Sequence, residues 1–267
     1  MNIVKYYSVN NDCYKYNVNK ADSRYVNFQS RGPKGLMLHS VGCAQPNAKV
    51  FANAWNKAGV QVAVHAVLQA DGTIYQCLPW NYRGWHAAGS ANNTHVGVEM
   101  TEPDAIKYTA GANFICINKE RAQAQVRGTY NTAVDLFAFL CKQYKLNPLT
   151  DIISHNEGGR KGVASGHVDP EHLWRGVGLP YTMDRFRKDV YNKLNRKDEI
   201  DMTKEEVTKL IDERVKMILN GDNTEPSSWA KKEFAEAKEL GITDGSRPLG
   251  YATRQEAAIM VKRASKK

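Results

Sequence analysis

The chain has 267 residues, 42% hydrophobic and 24% charged: enough for one sizeable domain and a small one, with the composition of an ordinary soluble globular protein. Its net charge of +9 is uneven, with 22 Lys/Arg against 14 Asp/Glu in residues 1–195 and 15 against 14 in residues 196–267. The basic first part is either a solvated surface or the mark of a polyanionic partner, nucleic acid or an anionic polymer such as a bacterial cell wall; with no Lys/Arg tract, no nucleic-acid motif and no apolar run near the roughly 20 residues of a membrane helix, neither nucleic-acid binding nor membrane insertion is expected.

The opening "MNIVKYYSVNNDCYKYN" has no apolar core and no small-residue cleavage site, so it does not read as a secretory signal. The five cysteines are widely spaced, odd in number and without a C-x-x-C pair; they read as buried free thiols rather than as a disulfide frame or zinc knuckle. "LMLH" at 36–39 reads as a buried strand after the "RGPKG" turn. "NAKVFANAWNKAG" reads as a helix that puts Val50, Phe51, Ala54, Trp55 and Ala58 inward and stops at Gly59. "VQVAVHAVLQADGTIYQCL" is a hairpin turning at Asp71-Gly72. "HVGVEM" alternates, with Val96, Val98 and Met100 on one face and His95, Gly97 and Glu99 on the other.

Residues 118–144 form a long amphipathic helix with Val126, Tyr130, Val134, Phe137, Cys141 and Tyr144 inward. "DIISH" is a short strand ending at His155, and "MDRFRKDVYNKL" is a closing helix that buries Met183, Phe186, Val190 and Leu194. Strands alternate with helices, so the expected fold is α/β: a central mixed sheet flanked by helices. After residue 196 the composition turns Lys/Glu-rich. The domains are read as 1–195 (the large α/β domain), 196–223 (helical linker) and 224–267 (a small all-α domain). The linker opens on a capping box, Thr203 to Glu206, carries an apolar stripe of Val207, Leu210, Ile211, Val215 and Ile218, and stops at Gly221. That stripe can pack on its own domain or pair with a second copy of itself, which would make a homo-oligomer through 203–267.

Three of the seven histidines fall in "SHNEGGRKGVASGHVDPEHLW", residues 154–174. His39 and His155 each close an apolar strand, and two strand-end histidines on one sheet can converge at one edge. A third ligand from the following loop would complete a three-ligand catalytic zinc site. His167, Asp169 and His172 are its candidates, with His65, His86 and His95 behind them; composition does not separate them. A carboxylate on a central strand is costly to bury unpaired, so Glu99 is expected to face a polar cleft, where it can act as general base.

These residues fall into a known pattern. "GLMLHS", "VHAVLQADGTIYQCLPW", "GWHAAG", "NNTHVGVEM" and "ISHNEG…GHVDPEHLW" together resemble, over roughly residues 28–195, the zinc-dependent N-acetylmuramoyl-L-alanine amidases of type 2. That family includes many phage endolysins and shares its fold with the peptidoglycan recognition proteins. The resemblance implies Zn2+ held by His39, His155 and Asp169, with Glu99 as the acidic catalytic residue. It puts His167 where the family carries a basic residue, usually Lys, beside the developing oxyanion. His86, with Trp85 and His65, is expected against the substrate, bacterial peptidoglycan. In two respects the chain departs from the pattern: Val64 stands where some members have a catalytic Tyr, and the stretch from His155 to Asp169 is long, so "GGRKGVASG" is expected to be a loop. The C-terminal "LGITDG" and "RPLGYATRQEAA" resemble a single S-layer-homology motif, a family that binds anionic secondary cell-wall polymers. With no secretory signal read at its start, the expectation is synthesis in the bacterial cytoplasm and action at the wall after holin-dependent or other non-classical release.

Overall fold

The structure, a computed structural model, describes residues 1–196, 204–220 and 225–266. The chain divides into two compact units, Met1–Arg196 and Lys197–Lys267.

The first unit begins with β1 (Asn2–Lys5), α1 (Asp12–Val18) and α2 (Ser23–Arg31), elements to which the sequence reading assigned nothing. Asn11 and Asp22 cap the two helices by accepting from the backbone N–H groups of Cys13 and Arg24. β2 (Gly35–Ser40) is buried along its whole length. α3 (Ala48–Trp55) follows, then the hairpin of β3 (Ala66–Leu68) and β4 (Thr73–Gln76), whose turn uses Gly72 at φ 88°. β5 (His95–Met100) leads into a small separate hairpin, β6 (Ile106–Ala110) and β7 (Asn113–Cys116), which was not foreseen. α4 (Lys119–Tyr144), β8 (Ile152–Ser154), α5 (His155–Arg160), α6 (Glu171–Gly176) and α7 (Met183–Asn195) complete the unit.

Six strands form one mixed sheet in the order β1-β4-β3-β5-β2-β8; the β3–β4 pair is antiparallel and the rest are parallel. The two-residue period of the strands assigns their faces. Leu36 and Leu38 of β2 and Val96, Val98 and Met100 of β5 enter the main core with Val126, Phe137 and Phe186 from α4 and α7. Met37 and Ile153 point the other way, into a separate small cluster. His39 follows Met37 by two and Glu99 follows Gly97 by two, so both stand on the face opposite the long helix.

Two expectations fail. In α3 the buried residues are Ala48 and Ala52, with Phe51 and Trp55 packed alongside, while Val50 and Ala54 are exposed and the helix ends at Trp55 rather than near Gly59. The small alanines face the sheet because they let the helix lie close to Val67 and Cys77. The cysteines also divide: Cys13, Cys77 and Cys141 are buried, but Cys43 is exposed and Cys116 half-buried.

The second unit holds α8 (Lys204–Asn220), α9 (Lys231–Glu239) and α10 (Arg254–Ala264), the last opened by a capping box between Thr253 and Glu256. The expected capping box at Thr203 and the stop at Gly221 lie outside the described residues. Among the described residues no helix is long and apolar enough to cross a membrane.

Candidate metal centre

The register of the sheet assembles the site. β2 and β8 run parallel with Leu38 level with Ser154, so the next residues, His39 and His155, emerge at the same end. Ser154 caps α5 in a capping box with Glu157, and Arg187 binds both carboxylate oxygens of Glu157 at 2.9 and 3.0 Å. Those bonds fix the turn on which His155 stands. Asp169 arrives from the loop before α6. Asn156 holds that loop, donating from its backbone N–H to the Asp169 carbonyl (3.1 Å) and from its side-chain amide to the His167 carbonyl (3.1 Å).

Three buried atoms converge there. His39 Nδ1 and His155 Nδ1 are 3.0 Å apart, and each lies 3.5 Å from an oxygen of Asp169. His39, His155 and Asp169 are the group of ligand-type side chains among the described residues that could hold a metal ion. Four ligands at about 2.1 Å around a tetrahedral zinc stand roughly 3.4 Å from one another, so this spacing suits such an ion. Two neutral imidazoles and a carboxylate are also the donor set that zinc accepts.

Each donor is held from behind, as metal ligands generally are. His39 Nε2 lies 3.0 Å from His86 Nδ1, His155 Nε2 lies 3.1 Å from Ser165 Oγ, and the Ser40 backbone N–H donates to Asp169 Oδ2 at 3.3 Å. Burial alone would raise the Asp169 pKa, but the neighbouring His155 and His39 rings overcome it and hold the carboxyl well below the usual carboxylate range. Burial lowers the pKa of His39, and of His86 still further.

The centre opens into a cleft of about 620 Å³ lined also by Glu99, His167, Trp85 and Tyr108. Glu99 Oε2 is buried without a hydrogen-bond partner, and burial, then the nearby Asp169 and Glu102 carboxylates, push its pKa well above normal. His167 stacks on the His155 ring at 4.2 Å, with its Nδ1 3.6 Å from Asp169 Oδ1; it is 56% exposed and borders the cleft.

Other sequence candidates sit elsewhere. His65 is fully buried and away from the cleft, with Nε2 2.7 Å from the Tyr82 carbonyl and Nδ1 accepting from the Gly97 N–H at 3.0 Å; this corrects the expectation that it meets substrate. Trp85 borders the cleft while its Nε1 donates to the Tyr25 hydroxyl. His86 borders it too, but both its ring nitrogens are engaged inside the protein. His95 Nδ1 pairs with Thr94 Oγ1 at 2.8 Å, and Val64 is buried. His172 belongs to a second group that sequence reasoning missed: the Tyr108 hydroxyl donates to Glu102 at 2.6 Å and lies 2.9 Å from His172 Nε2. This group ties the β6–β7 hairpin to the cleft wall. The "GGR" expected in a loop is the helical end of α5; the loop proper starts at Lys161.

The family model described as N-acetylmuramoyl-L-alanine amidase matches residues 29–172. The 1,6-anhydro-N-acetylmuramyl-L-alanine amidase AmpD of Citrobacter freundii is 33% identical over 76 residues, which cover 26% of this chain. The match spans 39% of that relative's length. Among solved structures, a mutant form of PlyL aligns with a TM-score of 0.50 at 18% identity, covering 72% of this chain and 99% of that one. The catalytic domain of XlyA aligns with a TM-score of 0.46 at 18% identity, covering 71% and 99%. With the family match spanning more than half of its length, the chain belongs to the N-acetylmuramoyl-L-alanine amidase family.

Proposed function

We propose that the protein hydrolyses the amide between N-acetylmuramic acid and L-alanine in bacterial peptidoglycan, with Zn2+ held by His39 Nδ1, His155 Nδ1 and Asp169. The observation that carries this reading is the convergence of those three atoms beside a cleft that also holds a buried carboxylate oxygen without a hydrogen-bond partner, Glu99 Oε2. Zinc, when bound, supplies Lewis acidity that polarises the amide carbonyl and acidifies the attacking water. Glu99 Oε2 has no competing hydrogen bond, so it takes the water proton and returns it to the departing L-alanine nitrogen. His167 presents its ring beside Asp169 at the cleft mouth and donates a hydrogen bond to the oxygen that gains charge as the carbonyl becomes tetrahedral. Asp169 and the two zinc-binding imidazoles hold their places through Ser40, Ser165 and His86.

The second unit supplies wall attachment in this reading, through anionic polymers or through self-association; Leu210, Ile211, Val215 and Ile218 of α8 are exposed. Purified cell walls test the whole: the protein should clear a wall suspension and release new L-alanine amino termini. A chelator should stop the clearing and zinc should restore it. Clearing that ignores chelator removes the metal mechanism. Binding without clearing on every wall tried makes the protein a recognition module.

A further inference from the structure

His39 can give Nδ1 to a metal only when its ring proton sits on Nε2 and the ring is turned so that Nδ1 faces His155. The partners of the neighbouring imidazole dictate both conditions. The His95 carbonyl, 3.1 Å from His86 Nε2, can only accept, so His86 Nε2 carries a hydrogen. A neutral imidazole has one N–H, so His86 Nδ1 is then a bare lone pair. It lies 3.0 Å from His39 Nε2, which must therefore be the donor. That leaves His39 Nδ1 without a proton, 3.0 Å from His155 Nδ1 and 3.5 Å from Asp169.

His86 is itself fixed. Its backbone N–H and that of Ala87 both donate to Asn92 Oδ1, at 2.8 and 2.9 Å. Its ring meets His39 at 82° and lies so close over Gly97 that a Cβ there would come within 2.3 Å of His86 Cγ. The "GWHAAG" and "HVGVEM" segments thus meet at one hydrogen-bonded chain, His95 carbonyl to His86 to His39. From this geometry we propose that His86 is a positioning residue that selects the metal-binding tautomer and ring orientation of His39, rather than a contact for substrate. The proposal rests on the reading of His39, His155 and Asp169 as the metal site.

The test uses the full chain with His86→Phe, which keeps an aromatic ring but offers no acceptor, and His86→Gln, whose carbonyl can accept and whose amide can donate. Zinc affinity is measured by competition with a chromophoric chelator. His86→Phe should bind zinc about 10- to 100-fold more weakly, and His86→Gln should recover most of the loss. In the metal-free wild type, nitrogen-15 NMR should show the His39 proton on Nε2, as a slowly exchanging ring N–H that disappears in His86→Phe. A folded His86→Phe that binds zinc as tightly as wild type overturns the proposal. So does a wild-type His39 protonated on Nδ1, a result that stands even if the Phe variant fails to fold. If wild type binds no zinc, or Asp169→Ala leaves zinc binding unchanged, the metal reading fails instead.

Discussion

Glu99 stands directly level with His39 across the parallel β2–β5 pair. Side chains of paired residues in a sheet share a face, so the register alone puts the carboxyl, which borders the cleft, on the same side of the sheet as the buried His39 ring. Glu99 contributes no atom to the His39–His155–Asp169 convergence. Glu99→Gln should therefore keep its zinc and its melting temperature while losing 10²- to 10⁴-fold in kcat, the usual contribution of a positioned acid–base group. Metal analysis and single-turnover rates on one sample decide it. A Gln variant with near-normal kcat removes Glu99 from proton transfer.

Asp169 and His167 separate by the same pair of measurements. Asp169→Ala removes one of the three converging atoms and leaves the Ser40 N–H without its acceptor, so zinc content should collapse. His167→Ala should retain zinc and lose kcat, because the His167 ring stacks beside the centre without joining the convergence. Undiminished zinc in Asp169→Ala would move the third ligand to His167 or His172. The structure weighs against His172, which is not among the side chains whose ligand atoms converge.

The inner strands and the helices α4 and α7 were legible in the sequence because their signals are periodic: the alternation of "HVGVEM", the Asp71-Gly72 turn and the apolar face of α4 each depend only on neighbours along the chain, whereas β1, α1, α2 and the β6–β7 hairpin went unassigned. α3 misled because its apolar stripe is ambiguous, and contact with the sheet favoured Ala48 and Ala52 over the bulkier Val50. His39, His155 and Glu99 stood out as strand-end and strand-face polar residues. Asp169 was one candidate of several until the family pattern singled it out. What no local signal revealed is long-range. The Tyr108–Glu102–His172 group joins a hairpin, a loop and a helix, and His65 differs from His86 only in what surrounds its two nitrogens.

Gly97 is where the sheet and the centre meet most closely. An added Cβ would lie 2.3 Å from His86 Cγ and 2.5 Å from His86 Nδ1, and neither the strand nor a ring held by Asn92 and the His95 carbonyl can move far. Gly97→Ala should cost about 1–3 kcal/mol of stability by overpacking and weaken zinc binding as His86 is pushed from His39. Chemical denaturation and the chelator titration read the two effects separately. Unchanged values for both would mean the ring has a second seat.

His65 makes a prediction about pH that does not depend on the metal. Its ring is fully buried, donates from Nε2 to the Tyr82 carbonyl and accepts from the Gly97 N–H at Nδ1, so a second proton would set two donors against each other. Burial is the main cause that brings its pKa down to about 4, against about 6.5 in an unfolded chain. Between those values the unfolded chain holds a proton that the folded one refuses, so stability rises with pH across this window and is flat above it. This group alone should remove about 2 kcal/mol between pH 7 and pH 5. Urea denaturation of the metal-free protein at the two values measures the fall, and other buried histidines add to it in wild type and variant alike. His65→Gln keeps an acceptor and a donor but does not titrate, so it should start less stable at pH 7 and fall by about 2 kcal/mol less. An equal fall in both proteins would show that His65 takes its proton in the folded state as readily as in the unfolded one.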